Sequence, residues 1–294
     1  MKRILTIQDI SCLGKCSVTI ALPVLSAMGV ETVILPTALL SAHTMFHDVF
    51  RQDLTAEMEK IMEHWEREGI TFDAIYTGYL GTEALIEQAL HAIHAFRRED
   101  TFVLTDPVMG DHGRLYSGFL PSYAEKNLAL CQSADLILPN ITEACMMTGI
   151  PYREDGDRAY FRGILSALLT SGNSGRGKAA LTGVSLEKGK TGVMGLDAGN
   201  GEWFEYQNEL LPVSYHGTGD LFASVTAGAI LNGRTWKEAL VLACDHTART
   251  IESSIGNKRD LRFGVDFEKT LPYLMENPEK NSETAEQGGN TPHA

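Results

Sequence analysis

The stretch that decides the fold of this chain is Tyr215-His-Gly-Thr-Gly-Asp-Leu-Phe-Ala-Ser-Val-Thr-Ala-Gly228. Gly217 and Gly219 predict a tight turn with unusual backbone angles, and a helix of small and apolar residues follows it. Unpaired N–H groups at the start of that helix, together with the positive end of its dipole, suit an anion such as phosphate. Asp220 would stand at the mouth of this anion hole. It is either a helix cap or a base that takes a proton from an attacking hydroxyl.

The composition suits a soluble globular protein with one large α/β domain or two small ones. Of the 294 residues 44% are hydrophobic and 21% are charged, and the formal net charge of -13 disfavours a nucleic-acid partner. No apolar run approaches the ~20 residues of a membrane span and no signal peptide is recognisable, so we expect a cytoplasmic protein with no membrane partner. The five cysteines have neither framework nor zinc spacing, and we expect reduced thiols.

Strand and helix patterns alternate along the chain, which predicts an α/β fold with a mostly parallel sheet and helices on its faces. We expect strands at 2–7, 31–35, 74–77, 101–105, 135–138 and 178–181, a hairpin at 192–196 and 202–206, and helices at 17–28, 54–67, 82–97, 118–131, 160–170 and 236–253. Residues 36–50 look irregular, and a loop of this length after a strand is often functional. Residues 1–275 are expected to form one domain, followed by a disordered tail at 276–294.

One stretch nearly matches a nucleotide-binding motif. Gly172-Asn-Ser-Gly-Arg-Gly-Lys-Ala179 resembles G-x-x-x-x-G-K-[ST], but Ala179 lacks the hydroxyl that would bind magnesium. A helix precedes the stretch and a strand follows it, which reverses the usual order. We interpret it as a surface turn. No glycine triplet follows the first strand, so a nicotinamide cofactor is unsupported.

Polar residues stand where several predicted strands end. They are Gln8 with Asp9, Gly78 with Tyr79, Asp106, Asn140 with Glu143, Thr182 and, after its turn, Asp220. In open α/β sheets ligands bind beyond the carboxyl ends of the strands, so we expect these residues to converge on one cleft. Oxygen atoms of Asp106, Asn140 and Glu143 are ligands of the kind that Mg²⁺ takes. With Thr182 and the glycine turn as neutral donors, the set provides the positioning, charge neutralisation and base that phosphoryl transfer needs.

Histidines give a weaker signal. His43 and His47 are four residues apart, as metal ligands on a helix are, but Pro36 and Ser41 favour a loop and disfavour a metal site. His216 directly precedes the glycine turn and is expected to act on it only indirectly.

Four motifs, taken together, resemble the pyridoxal kinases of the ribokinase superfamily. They are Gly78-Tyr-Leu-Gly81, Asp106-Pro-Val-Met-Gly-Asp111, Pro139-Asn-Ile-Thr-Glu143 and Gly217-Thr-Gly-Asp220. Their order and spacing match that family from about Lys2 to Phe267, and Leu40-Ser-Ala-His-Thr44 resembles its loop over the vitamin ring. The resemblance implies a ribokinase-like, three-layer α/β sandwich and ATP-dependent phosphorylation of a B6 vitamer.

The resemblance also implies roles for individual residues. Asp220 would deprotonate the 5′-hydroxymethyl group, in an anion hole made by Gly217, Thr218 and Gly219. Asp106 and Glu143 would hold Mg²⁺ directly or through water. ATP or its metal would be contacted by Asn140, Thr182 and Asp111, and the pyridine ring would be flanked by Thr44 and Tyr79. Members of the family are typically homodimers, and some use a monovalent cation, K⁺ or Na⁺.

Two positions depart from the family pattern. Asp9 stands where the family usually has a serine near the pyridine nitrogen, and Cys16 aligns with a small apolar residue against the ring. We hypothesise that Asp9 pairs with a protonated pyridine nitrogen through a charge-assisted hydrogen bond.

Two alternatives stay open at this point. A hydroxymethylpyrimidine kinase of thiamine synthesis has a similar fold and substrate shape. Such enzymes commonly carry cysteine at the position of Asp220 and Gly-Ser-Asp after the first strand, where this chain has Gln8-Asp-Ile-Ser11. A non-catalytic B6-binding protein is the second alternative, but it would leave Asp220, Asn140 and Glu143 without a role.

Overall fold

A nine-stranded sheet forms the centre of the structure, a computed structural model that describes residues 1–170, 177–255 and 260–275. Strands in these ranges are β1 (Arg3–Ser11), β2 (Glu31–Leu40), β3 (Arg51–Asp53), β4 (Ala74–Thr77), β5 (Phe102–Thr105), β6 (Gly110–Asp111), β7 (Arg114–Leu115), β8 (Leu136–Ile137), β9 (Lys178–Val184), β10 (Lys190–Asp197) and β11 (Glu202–Glu209). Helices are α1 (Val18–Ala27), α2 (Thr55–Arg67), α3 (Glu83–Phe96), α4 (Pro121–Cys131), α5 (Ile141–Thr148), α6 (Arg158–Thr170), α7 (Thr218–Leu231), α8 (Trp236–Ile255) and α9 (Pro272–Met275), with 3₁₀ turns at Leu261–Phe263 and Phe267–Lys269.

The strand order of the large sheet is β11-β10-β9-β8-β5-β4-β1-β2-β3. Pairing is parallel from β9 through β8, β5, β4 and β1 to β2, and antiparallel at both ends, where β10 and β11 form a hairpin and β3 pairs with β2. The short strands β6 and β7 form a separate hairpin. Five of the parallel strands, β1, β4, β5, β8 and β9, carry or precede the polar residues predicted to form a cleft. Their carboxyl ends lie along one edge of the sheet, as the sequence predicts.

Apolar side chains cover both faces of the sheet. Along β1, Leu5 and Ile7 belong to one core and Ile4 to the other, because successive side chains of a strand point to opposite faces. The first core packs residues of α2 to α6, such as Phe161, and the second packs residues of α1, α7 and α8, such as Leu240. Strands buried on both faces read as continuous apolar runs in the sequence. The predicted three-layer sandwich is confirmed.

The predicted loop at 36–50 is wrong in its first part. Strand β2 continues through Pro36 to Leu40, and the irregular segment covers only residues 41–50. Pro36 pairs with Gln8 beside an irregularity in the β1–β2 register, and such a site tolerates a residue without an N–H group. The three-residue strand β3, the β6–β7 hairpin and the extension of β9 to Val184 were not predicted.

Two predicted segments cannot be compared. The tail at 276–294 and residues 172–176 of the near-match to a nucleotide motif lie outside the described residues. Among the residues that are described, no helix is both long and apolar enough to cross a membrane.

Candidate active site

The turn before α7 is held in place by one glycine. Gly217 has a φ of 84° and is the N-cap of α7, and a Cβ atom at this position would collide with the carbonyl oxygen of Lys15. Gly219 lies within the helix without a positive φ, and a Cβ there would meet nothing within 4 Å. The prediction of an unusual backbone is therefore right for Gly217 and wrong for Gly219. Gly219 leaves open space in front of the helix start.

Asp220 is not the cap of α7. It lies in the first turn, and no side chain of the described residues caps this helix. The Thr218 hydroxyl donates to the carbonyl of Tyr215 at 3.1 Å. The backbone N–H groups of the first turn thus keep no side-chain acceptor and are suited to an anion.

The carboxyl group of Asp220 has a pKa of about 7. Burial raises it, the backbone N–H of Ser17 opposes the rise, and the charge of Asp9 adds to it. The Ser224 hydroxyl donates to the Asp220 carbonyl at 2.6 Å and fixes the backbone of this turn of the helix. A carboxylate with a pKa near neutrality is a stronger base than an ordinary one, which suits proton abstraction from a hydroxyl.

Two further acids, Asp106 after β5 and Glu143 after β8, form an acid pair. Burial and the charges of Glu143 and Asp220 raise the pKa of Asp106 well above its ordinary value. Burial also raises the pKa of Glu143, to about 8, although its oxygens accept from the backbone N–H groups of Met109 (3.0 Å) and Asn140 (2.8 Å). No hydrogen bond or ion pair of the described residues reaches the side-chain carboxyl group of Asp106. Its carboxylate is therefore available to a cation.

Both polar groups of the Asn140 side chain form hydrogen bonds within the protein. Its amide oxygen accepts from the N–H of Glu143 at 2.9 Å, and its amide nitrogen donates to the carbonyl of Gly110 at 2.8 Å. With Glu143 it forms a capping box at the start of α5. Thr182 pairs with Asn140 across an isolated parallel bridge, while the side chain of Asp111 is exposed on the β6–β7 hairpin. These residues border the acid pair on one side.

On the other side the structure groups Asp9, Cys16 and Tyr79. Asp9 is 2% exposed and accepts from the Ser11 hydroxyl at 2.9 Å. Burial raises its pKa, against hydrogen bonds from Ser17 and Ser11 and the charge of Arg51. Burial also raises the pKa of the Cys16 thiol, with further contributions from Asp9 and Asp220, so this thiol stays protonated and unreactive.

Tyr79 and Thr44 differ in their placement. Burial raises the pKa of Tyr79, and Asp9 and Cys16 are close enough to contribute to the shift. Thr44 lies exposed on the 41–50 loop, and among the described residues no hydrogen bond joins its side chain to Asp9 or Tyr79. The structure therefore brings together three of the four residues predicted to surround the ring.

Arg51 is a neighbour of the candidate site that the sequence analysis missed. It extends from β3, and its guanidinium nitrogen Nη2 lies 2.7 Å from where a Cβ of Gly81 would be, beside the Tyr79 ring. Its positive charge lowers the pKa of Asp9. A three-residue strand is too short to show a periodic pattern, so the sequence could not place Arg51 directly. The related signal is Gly81 in the motif Gly78-Tyr-Leu-Gly81, which leaves space for a neighbouring side chain.

His43 and His216 pack against each other, a contact that the sequence analysis did not predict. Their ring centroids are 4.2 Å apart, and His43 is 2% exposed. Nε2 of His43 donates to the Arg262 carbonyl at 2.6 Å and Nδ1 accepts from the Met45 N–H at 3.3 Å, so the ring is the neutral tautomer. Burial lowers the pKa of His216 to about 4. This pair joins the 41–50 loop to the residue before the glycine turn.

We predict that Asp106→Asn stabilises the ligand-free protein. The folded-state pKa of Asp106 is raised, so its contribution to stability is present below the ordinary carboxyl range and is lost as pH rises. The amide should raise Tm by roughly 1–3 °C at pH 8, on the scale of about 1 kcal/mol, and by less at pH 5. Thermal unfolding in EDTA measures this, with the exposed Asp100→Asn as control. A lower Tm for the variant, or a difference that does not change with pH, would contradict the prediction.

Comparisons with known proteins show the family of this chain. Residues 20–262 match the model of a family described as phosphomethylpyrimidine kinase. A curated relative, the pyridoxal kinase PdxY of Rubrobacter xylanophilus, is 27% identical over 86% of this chain and 87% of its own.

Two solved structures are similar over nearly the whole chain. A putative phosphomethylpyrimidine kinase from Bacteroides thetaiotaomicron is 35% identical, covers 94% of each chain and has a TM-score of 0.89; another crystal form of it was obtained with pyridoxal. A pyridoxal kinase from Lactobacillus plantarum is 33% identical, covers 96% of this chain and 99% of its own, and has a TM-score of 0.87. The chain therefore belongs to the phosphomethylpyrimidine kinase family of proteins and, within the ribokinase superfamily, to the pyridoxal kinases.

Proposed function

We propose that the protein transfers the γ-phosphoryl group of ATP to the 5′-hydroxymethyl oxygen of a B6 vitamer: pyridoxal, pyridoxine or pyridoxamine. The observation that carries this proposal is Asp220, a carboxyl with a pKa of about 7 beside the uncapped start of α7. The hydroxymethyl group loses its proton to Asp220, its oxygen forms a bond to the γ-phosphorus, and the bond to the β-phosphate oxygen breaks to release ADP.

The start of α7 is proposed to bind the migrating phosphoryl group. Backbone N–H groups of residues 217–219 and the positive end of the helix dipole favour negative charge there. The open space at Gly219 allows a phosphoryl group to approach the backbone closely. A side chain at Gly219 would occupy that space.

The acid pair is proposed to hold Mg²⁺. No three His, Cys, Asp or Glu side chains of the described residues form a metal cluster on their own. Magnesium usually takes one or two carboxylates and completes its shell with water and substrate phosphates, which fits the partnerless carboxylate of Asp106 beside Glu143. When bound, Mg²⁺ would neutralise charge on the ATP phosphates. Asp111, Asn140 and Thr182 border the region proposed for ATP.

Three further features are proposed on the family resemblance. They are a homodimeric assembly, a cytoplasmic location and the use of K⁺ or Na⁺.

The vitamer ring is proposed to lie among Asp9, Cys16, Tyr79 and Thr44. Asp9 would accept a hydrogen bond from a protonated pyridine nitrogen. The positive ring would offset the negative charge of Asp9, which contributes to the raised pKa of Asp220. Thr44 lies on the 41–50 loop with its side chain exposed in this structure. The relatives support this substrate class, because one is a pyridoxal kinase and another was crystallised with pyridoxal.

The direct test is ADP release from magnesium-ATP with each B6 vitamer and with hydroxymethylpyrimidine, using wild type and Asp220→Asn. We expect turnover on at least one vitamer and a loss of about 10²- to 10⁴-fold in kcat for the variant, the contribution of a general base. Turnover only on the pyrimidine would favour the thiamine-pathway alternative. Tight vitamer binding without turnover in the wild type would indicate a binding protein.

The pH dependence of kcat/KM should reveal the same carboxyl. Because Asp220 must be ionised to accept a proton, kcat/KM should fall about tenfold per pH unit below about pH 7 and level off above it. Asp9→Asn removes a like charge, so its profile should shift to lower pH. ATP titrates equally in the assays of wild type and Asp9→Asn. The displacement between the two pH profiles therefore reports a group of the enzyme. Superimposable profiles would count against this assignment.

Asp9 should determine affinity for the vitamer but not for ATP. Replacing it with serine, the usual family residue, removes a charge-assisted hydrogen bond and should raise the vitamer KM roughly 10- to 100-fold. The KM for ATP should stay within twofold. The exposed Asp48→Asn serves as a control for loss of a negative charge. An unchanged vitamer KM in Asp9→Ser would remove the proposed pairing.

A further inference from the structure

The 41–50 loop between β2 and β3 is closed at its base and directs a histidine inward. The N–H of Ser41 donates to the Phe50 carbonyl at 3.0 Å, and the Ser41 hydroxyl accepts from the Phe50 N–H at 3.0 Å. Most residues of the loop are exposed, but His43 is only 2% exposed. Because burial of a polar ring costs free energy unless its nitrogen atoms are hydrogen-bonded, the partners of His43 indicate its role.

All four hydrogen-bonding groups of His43 have partners. Ring Nε2 donates to the Arg262 carbonyl at 2.6 Å, and ring Nδ1 accepts from the Met45 N–H at 3.3 Å. The backbone N–H of His43 donates to the Leu13 carbonyl at 3.2 Å, and its carbonyl accepts from the Phe46 N–H at 3.1 Å. A buried polar group with every bond satisfied specifies one arrangement of its surroundings, which an apolar side chain of the same size would not do.

The imidazole of His43 is also enclosed by its neighbours. A Cβ atom at Gly14, where φ is 87°, would collide with Cδ2 of His43, so the ring packs directly on a glycine. The ring of His216 lies on another side, with the two centroids 4.2 Å apart. The imidazole therefore fits between the segment that leads to Cys16 and the residue before the glycine turn of α7.

A second contact joins the same loop to the same turn after α8. Phe46 meets Phe263 edge-on, with ring centroids 5.7 Å apart, and the Arg262 guanidinium lies 5.5 Å from the centroid of the Phe46 ring. The hydrogen bond from His43 and this aromatic contact act on neighbouring positions of the loop. Together they fix the loop to a turn that is 219 residues away in the chain.

We propose that His43 is a positioning residue that ties the 41–50 loop, and with it Thr44, to the turn at Leu261–Phe263. Thr44 lies between His43 and Met45, whose N–H is bonded to the His43 ring, so the imidazole fixes the backbone on both sides of Thr44. The turn after α8 would thereby shape the vitamer side of the site. This inference rests on the proposed function, which places Thr44 at the ring, and it assigns His43 no contact with substrate.

Two substitutions separate the two hydrogen bonds of the His43 ring. His43→Gln keeps a side-chain N–H that reaches the Arg262 carbonyl, whereas His43→Asn keeps an acceptor for the Met45 N–H but is too short to reach Arg262. We expect His43→Asn to raise the vitamer KM about tenfold, with kcat and the KM for ATP within about twofold of wild type. His43→Gln should raise the vitamer KM less than about threefold. His47→Asn, an exposed histidine of the same loop, is the matched control.

Hydrogen–deuterium exchange of the ligand-free full chain tests the tie without any turnover. Peptides that cover residues 41–50 and 260–265 should exchange at least about fivefold faster in His43→Asn than in wild type, because both segments lose a shared contact. The same peptides of His43→Gln and His47→Asn should exchange as in wild type. Peptides from α3 should be unchanged in every variant, and Tm is measured for each.

The outcomes distinguish this inference from the proposed function. A wild type without turnover on any vitamer would overturn the proposed function, while the exchange experiment would still test the tie. An unchanged vitamer KM in His43→Asn would overturn the positioning role, and unchanged exchange of its 41–50 peptide would overturn the tie to Arg262. Parallel increases in both KM values with a lower Tm, or a glutamine variant as impaired as the asparagine variant, would show a merely structural residue and would also overturn the inference.

Discussion

Burial of four carboxyl groups at one edge of the sheet is the constraint on which the site depends. Asp9, Asp106, Glu143 and Asp220 come from separate elements, and the parallel strand order brings them together. Burial raises the pKa of each, and their charges add to the shifts of Asp106 and Asp220. The apolar layers on both faces of the sheet stabilise the fold against this cost. Natural proteins commonly accept such destabilised groups where function requires them.

Backbone N–H groups, and few cations, hold these acids. Glu143 accepts from the backbone N–H groups of Met109 and Asn140, and the backbone N–H of Ser17 opposes the rise in the pKa of Asp220. Arg51 is the cation whose charge lowers the pKa of Asp9. Dipoles of the backbone fix the carboxylates without neutralising them. Under the proposed function, this site would take two positive partners, a metal ion near Asp106 and a protonated ring near Asp9.

The sequence predicted what depends on local pattern and on the general geometry of parallel sheets. Acids after strands had to meet at the carboxyl edge, and Gly217 had to form the turn before α7. The placement of Arg51 and the packing of His43 against His216 depend on contacts between residues far apart in the chain, which no local pattern encodes. Gly219 was wrongly predicted to have unusual backbone angles. Glycine is used both for such angles and for open space beside the backbone, and the sequence does not distinguish the two.

The central claim is that Asp220 abstracts the proton of a vitamer hydroxymethyl group. A crystal structure with pyridoxine, Mg²⁺ and a non-hydrolysable ATP analogue tests it most directly. We predict that the 5′ oxygen lies about 2.6–3.2 Å from an Asp220 carboxylate oxygen, with the ring nitrogen within hydrogen-bond distance of Asp9. A hydroxymethyl group directed away from Asp220, with another side chain or no base within reach, would contradict the account.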